Sequence, residues 1–177
     1  MRLDLSLLGW VHTLVCLPAL VLGAMNLVMR KGTAVHRRIG QWYLITILLV
    51  SVTSLGIYRL NRFFFPHWLA IATIVFALMA YGFAHYRRPR ALWLRFHIVS
   101  TVLTYYLLIG GGVNEVFIRV DVVRRLSGGF GSPANLMTHR VVLGLTVIAL
   151  IWFNIRRLPA AQLSRHRGEA ATGSPPP

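Results

Sequence analysis

The chain of 177 residues contains seven histidines, and six of them fall within or at the ends of long apolar runs. His12, His36, His67, His85, His97 and His139 therefore sit where an ionisable side chain is costly, which makes them the first place to look for chemistry. Neutral imidazole is a ligand for haem iron, copper and zinc. A b-type haem needs two axial ligands facing one another from different helices. His36 with His97 could supply such a pair, and His12 with His67 or His139 could supply another. The expected cofactor-binding set is His12, His36, His67 and His97. Haem b or copper would be the cofactor, and electron transfer or oxidase-type assembly the role. A different use of the same residue types is a zinc or copper site made by His12, His67, His139 and Glu115, which would make the chain a membrane-embedded metal enzyme. A third possibility is a transporter or scaffold without a cofactor, although the scarcity of carboxylates argues against a cation pathway.

Cys16 is the only cysteine. It excludes an intramolecular disulfide and any zinc site built on a cysteine pair. Inside an apolar run it reads as a small packing residue.

The elements that must position these groups are legible in the composition. Hydrophobic residues make up 56% of the chain and charged residues only 13%, against about a quarter charged in a typical soluble domain. Lipid must then be the solvent for much of the exterior. Five apolar segments stand out, over about residues 5–29, 36–58, 67–84, 91–117 and 139–156, each near the ~20 residues that a helix needs to cross the hydrocarbon core. The expected fold is all-α, a polytopic transmembrane bundle of about five spans in one domain over residues 1–157. A disordered cytoplasmic tail is expected over residues 158–177, where the chain ends in Gly-Ser-Pro-Pro-Pro.

The net charge of +15 is distributed between the apolar runs rather than along one face or in one tail. That pattern excludes nucleic acid and favours the lipid bilayer as partner, alongside an electron-transfer or assembly protein. Twelve basic residues, among them Lys31, Arg37, Arg88 and Arg157, fall on one side of the spans and seven on the other. The positive-inside rule then predicts an external N-terminus and a cytoplasmic C-terminus in the cytoplasmic (inner) membrane. This topology sorts the histidines into two layers. His12, His67 and His139 join Glu115 toward the outside, and His36, His85 and His97 lie toward the cytoplasm.

Helical phase sharpens the sorting. His97 and Glu115 are eighteen residues apart, or five full turns, so they share one face of their helix at opposite ends, with Thr101, Thr104 and Gly111 close to the same stripe. His67 and His85 are related in the same way, but about 27 Å apart along the axis, so a compact diheme core using both is strained and improves if only one is a ligand. On the first span His12, Cys16, Ala19, Gly23 and Asn26 form a stripe of polar or small residues that should face the bundle interior. Glu115 could instead pair with Arg119 one turn later. Gly110, Gly111 and Gly112 read first as a close helix contact. The alternative is room beside the backbone for a flat cofactor.

The run His36-Arg37-Arg38-Ile39-Gly40-Gln41-Trp42-Tyr43, the first span with His12 and Gly23, and His97 leading to Thr104-Tyr105-Tyr106 and Glu115 resemble a bacterial family of membrane proteins, domain of unknown function 2306. The resemblance covers roughly Leu8 to Val120, and its most specific part is the His36-x-x-x-Gly40-x-x-Tyr43 element. It implies a polytopic bundle with histidines at helix ends and no particular activity. The layered histidines also give the chain an architectural likeness to cytochrome b561-type membrane proteins.

Overall fold

The computed structural model describes residues 7–57, 65–86 and 92–172, with side chains described to residue 152 and from residue 67 in the second of these segments. The described residues are all-helical: α1 Leu7–Val28, α2 Ala34–Leu55, α3 Phe65–Tyr86, α4 Trp93–Arg119, α5 Asp121–Ser127 and α6 Pro133–Thr172. Five of these helices, all but α5, are long and apolar enough to cross a membrane. Arg2, Arg59, Arg62, Arg87, Arg88 and Arg90, used above for the topology, lie outside the described residues, as do the outermost positions of the expected spans at 5, 6, 58 and 91.

What is buried and what is exposed explains the arrangement. The interior is built from small and hydroxyl-bearing residues. Ala19, Ala70, Ala77, Ser51, Ser100 and Thr104 are buried, while Leu14, Leu17, Val21, Val52, Leu78 and Ile148 are exposed. Lipid tails are as apolar as leucine, so helices associate in a bilayer through close backbone approach and interhelical hydrogen bonds, which this distribution favours. The interior hydroxyls bond back to their own helices. Ser51 Oγ donates to the Ile47 carbonyl at 2.9 Å and Thr73 Oγ1 to that of Leu69 at 2.8 Å, which removes polar groups from contact with hydrocarbon.

Successive long helices run antiparallel, with α1 on α2, α2 on α3, α3 on α4 and α4 on α6 as the principal contacts, and α1 also meeting α4. The tightest point is Gly23 on α1. A Cβ there would lie 2.4 Å from the Tyr105 ring and 2.9 Å from that of Tyr43. The two rings meet edge to face with centroids 6.5 Å apart. The Tyr105 hydroxyl donates to the Leu20 carbonyl at 3.2 Å. Glycine is thus required where α1, α2 and α4 converge, and the stripe expected on the first span does face inward, with Ala19, Gly23 and Asn26 buried.

The connection between α4 and α6 departs from expectation in detail. Most of residues 118–138, the stretch between the expected fourth and fifth spans, is helical. α4 reaches Arg119, extended Val120 breaks it, and the α5 turn ends on left-handed Gly128 at φ 85°, a conformation that glycine adopts without a Cβ penalty. α6 begins at Pro133 rather than near residue 139. Ser132 Oγ accepts from the Asn135 backbone N–H at 3.3 Å, and Asn135 Oδ1 accepts from Gly131 N–H at 3.2 Å. A capping serine followed by proline in the first turn starts a helix whatever the hydropathy of the next residues. At its other end the α6 backbone is helical to Thr172, through much of the segment expected to be a disordered tail. That segment contains the strong helix formers Ala160, Ala161, Gln162 and Leu163. Residues 173–177 lie outside the described residues.

Candidate functional site: a cavity at the α1–α2 turn

The two ends of the bundle treat their histidines differently. At the end that holds α5, His12 and His139 each tie two helices together. Thr53 Oγ1 lies 2.7 Å from the Leu49 carbonyl and 3.0 Å from that of Val50, so its one proton is given to the backbone. It must then accept from His12 Nδ1–H, 2.9 Å away. That leaves the lone pair of His12 on Nε2, where the Cys16 thiol donates at 3.6 Å. Both ring nitrogens of His12 are thereby occupied, and α1 is clamped to α2. Cys16 is half-buried and takes part in this clamp as well as in packing.

His139 is committed in a similar way. An amide oxygen only accepts, so His139 Nε2–H donates to Asn114 Oδ1 at 2.7 Å. Asn135 Nδ2 reaches the same oxygen at 3.5 Å. The His139 ring lies over Gly110, whose added Cβ would meet it at 3.7 Å, while Gly111 and Gly112 face open space. Gly110 therefore serves helix contact, as the first reading of the triplet has it. Glu115 is exposed and pairs with Arg119 one turn on, the local alternative noted above. His67 is buried at 1% exposure. Among the described residues no group of three or more His, Cys, Asp or Glu is placed to hold a metal ion, so His12, His67, Glu115 and His139 are not assembled as the zinc alternative requires.

The end that holds the α1–α2 turn is open. His36, His85 and His97 all line one cavity of about 440 Å³ between α1, α2, α3 and α4, within the ~300–1,000 Å³ usual for small-molecule and cofactor sites. Its construction follows from helical spacing. His36, Gly40 and Tyr43 recur at i, i+4 and i+7 on α2, and His97, Thr101 and Thr104 do so on α4, and all six line the cavity. His36, Gly40 and Tyr43 thus form the cavity-facing stripe of α2. Thr104 Oγ1 donates to the Thr101 carbonyl at 2.7 Å and so accepts from the Tyr43 hydroxyl at 3.0 Å, which ties α2 to α4 across the cavity. Small residues Ala77, Ala80 and Ala84 form the α3 wall.

His97 is the side chain best prepared for ligation. A carbonyl only accepts, so His97 Nδ1–H donates to the Ala80 carbonyl at 2.8 Å. The neutral ring then carries its lone pair on Nε2. This is the orientation typical of metal-bound histidine, whose second nitrogen is held by a backbone carbonyl or carboxylate. His85 stacks on Tyr81 with centroids 5.4 Å apart at the exposed rim. Three lining residues escaped the sequence reading as site residues. Lys31 and Arg37 were counted only for topology, and Asn26 only as part of a stripe. Asn26 is buried, and its Oδ1 has no hydrogen-bond partner among the described residues.

Fold and cavity together define a class, an all-α bundle with five membrane-compatible helices and a cofactor-sized cavity at one end. No family model matches the chain, and comparison with curated proteins and with solved structures also produced no match.

Proposed function

We propose that this chain is a multi-pass protein of the bacterial inner membrane that holds a redox cofactor, haem b, in the cavity at its α1–α2 end. The N-terminus lies outside and the C-terminus in the cytoplasm, which puts the cavity at the cytoplasmic interface. The observation that carries the proposal is His97. It lines a cavity of sufficient size and has its Nδ1 proton committed to Ala80, leaving Nε2 to bind iron. His36, on the α2 wall of the same cavity, is the candidate second ligand. Haem bound there would supply one-electron transfer between membrane partners. The chain's own residues exclude water and set the shape, with Tyr43 and Thr104 joining the α2 and α4 walls and the three alanines of α3 leaving room for a flat ring.

His12 passes from the cofactor set to the helix-clamping set because both its nitrogens have protein partners. Copper is the alternative occupant of the inner histidines, and the same experiment separates the two. Protein purified in mild detergent is expected to show a haem absorption band with about one haem per chain, and His97→Ala to abolish it. Stoichiometric copper without a haem band would replace haem in the proposal. A folded but colourless and metal-free preparation would end it.

A further inference from the structure

The cavity has a polarity that ligation by histidine does not explain. Lys31 and Arg37 line it from the α1–α2 turn and the start of α2. No Asp or Glu is among its described lining residues. Both cations are held beside the cavity. Lys31 Nζ donates to the Asn26 carbonyl and, at 2.6 Å, to that of Leu27. Arg37 Nη1 donates to the Gly32 carbonyl at 2.8 Å, which leaves most of its five N–H donors for other acceptors. The N-terminal ends of α2 and α4 share this end with the C-terminal ends of α1 and α3, so the helix dipoles offset one another and the charge comes from the two side chains. Deeper in, the lining turns apolar at Leu44, Ile47, Ala77 and Val102.

Asn26 supplies an independent indication of a ligand. It is 5% exposed and lines the cavity, with Oδ1 lacking a partner among the described residues and facing the backbone of Gly40. A buried amide of this kind can offer its oxygen to an acid or hydroxyl proton. By rotating, it can offer its N–H groups to a carboxylate.

From the charge, the apolar depth and this amide we infer that the cavity selects an anionic amphiphile, its acidic groups against Lys31 and Arg37 and its apolar body between α2, α3 and α4. The inference deepens the haem proposal, since haem b carries two carboxylates on one edge of an apolar macrocycle, but it does not need iron. The same chemistry is offered by an anionic phospholipid, with phosphate at the turn and an acyl chain in the apolar depth.

The test uses the full chain in nanodiscs of zwitterionic phosphatidylcholine, with metal-free protoporphyrin IX and its dimethyl ester as probes. Binding is read by quenching of tryptophan emission, Trp93 being part of the lining. The diacid is expected to bind at least about ten-fold more tightly than the diester. The double variant Lys31→Gln, Arg37→Gln should lose that preference, as expected for charge-assisted hydrogen bonds. The exposed Arg140→Gln, at the other end of the bundle, should keep it, as a control for net charge. Equal binding of diacid and diester, or an unchanged preference in the double variant, would overturn the inference. Adding phosphatidylglycerol to the discs identifies the source. Displacement of the diacid assigns the cavity to a lipid headgroup, and no displacement assigns it to a carboxylated cofactor. Because the probe lacks iron, diacid selectivity without any haem ligation would sink the haem proposal and leave this one standing.

Discussion

The two ends of the bundle carry three core-facing or interfacial histidines each, yet only one end places them around a cavity. At the α5 end, His12 and His139 spend their polar atoms on Thr53, Cys16 and Asn114. At the α1–α2 end, His36, His85 and His97 surround an open volume. The chemistry of imidazole is the same at both ends, so the difference comes from what each neighbouring helix offers. Where α1 and α2 approach closely, a threonine hydroxyl and a thiol are within reach of one ring. Near the turn that joins them, alanines on α3 and glycine on α2 leave space. A histidine in a span is therefore a weak indicator of function until the partners of both nitrogens are known.

The contrast can be broken by substitution. The largest stability effect is expected at the shared joint, because overpacking forces off-rotamer side chains in a well-packed interior. Gly23→Val should cost about 1–3 kcal/mol or more, seen as a large drop in Tm. It should also disturb the cavity through Tyr43. His12→Ala comes next. It removes one hydrogen bond between helices, to Thr53, worth ~0.6 and at most ~1.7 kcal/mol in a membrane bundle, and one within α1, to Cys16. It should lower Tm while leaving ligand binding at the other end intact. His139→Ala removes one such bond and leaves Asn114 to Asn135, so a loss of about 0.6 kcal/mol is expected, with looser seating of α6 on α4 visible as faster amide exchange in α6. The smallest effect is expected for Glu115→Gln, since an exposed helical pair of this spacing contributes only ~0.3–0.5 kcal/mol. A large loss of stability there would show that Glu115 has a role beyond Arg119.

Much of the fold was legible because lipid imposes a length and composition on each span, so the five segments match α1–α4 and α6 apart from their ends. The ends were harder. Hydropathy alone placed the start of the last span near His139, although Ser132 and Pro133 carry the local signal that starts α6 six residues earlier. The grouping of His36, His85 and His97 was also legible, since helix phase and the order of the spans suffice to place them at one end. That Tyr43 and Tyr105 close over Gly23, that Lys31 and Arg37 face a cavity, and that Asn26 lines it with an open acceptor all depend on which helices become neighbours. Those are contacts between residues as many as 82 positions apart, as for Gly23 and Tyr105, and no single-helix pattern specifies them. His12 shows the same limit from the other side. Its place within an apolar run suggested a ligand, and only the position of Thr53, 41 residues away, reveals a clamp.

The central claim is that ligand chemistry belongs to the α1–α2 end. It is tested most directly by the optical spectrum and haem content of purified His97→Ala beside purified His12→Ala. The expected result is loss of the haem band in the first, with its folded state preserved, and retention of the band in the second, with a lowered Tm. The reverse pattern, haem kept without His97 and lost without His12, would contradict the account.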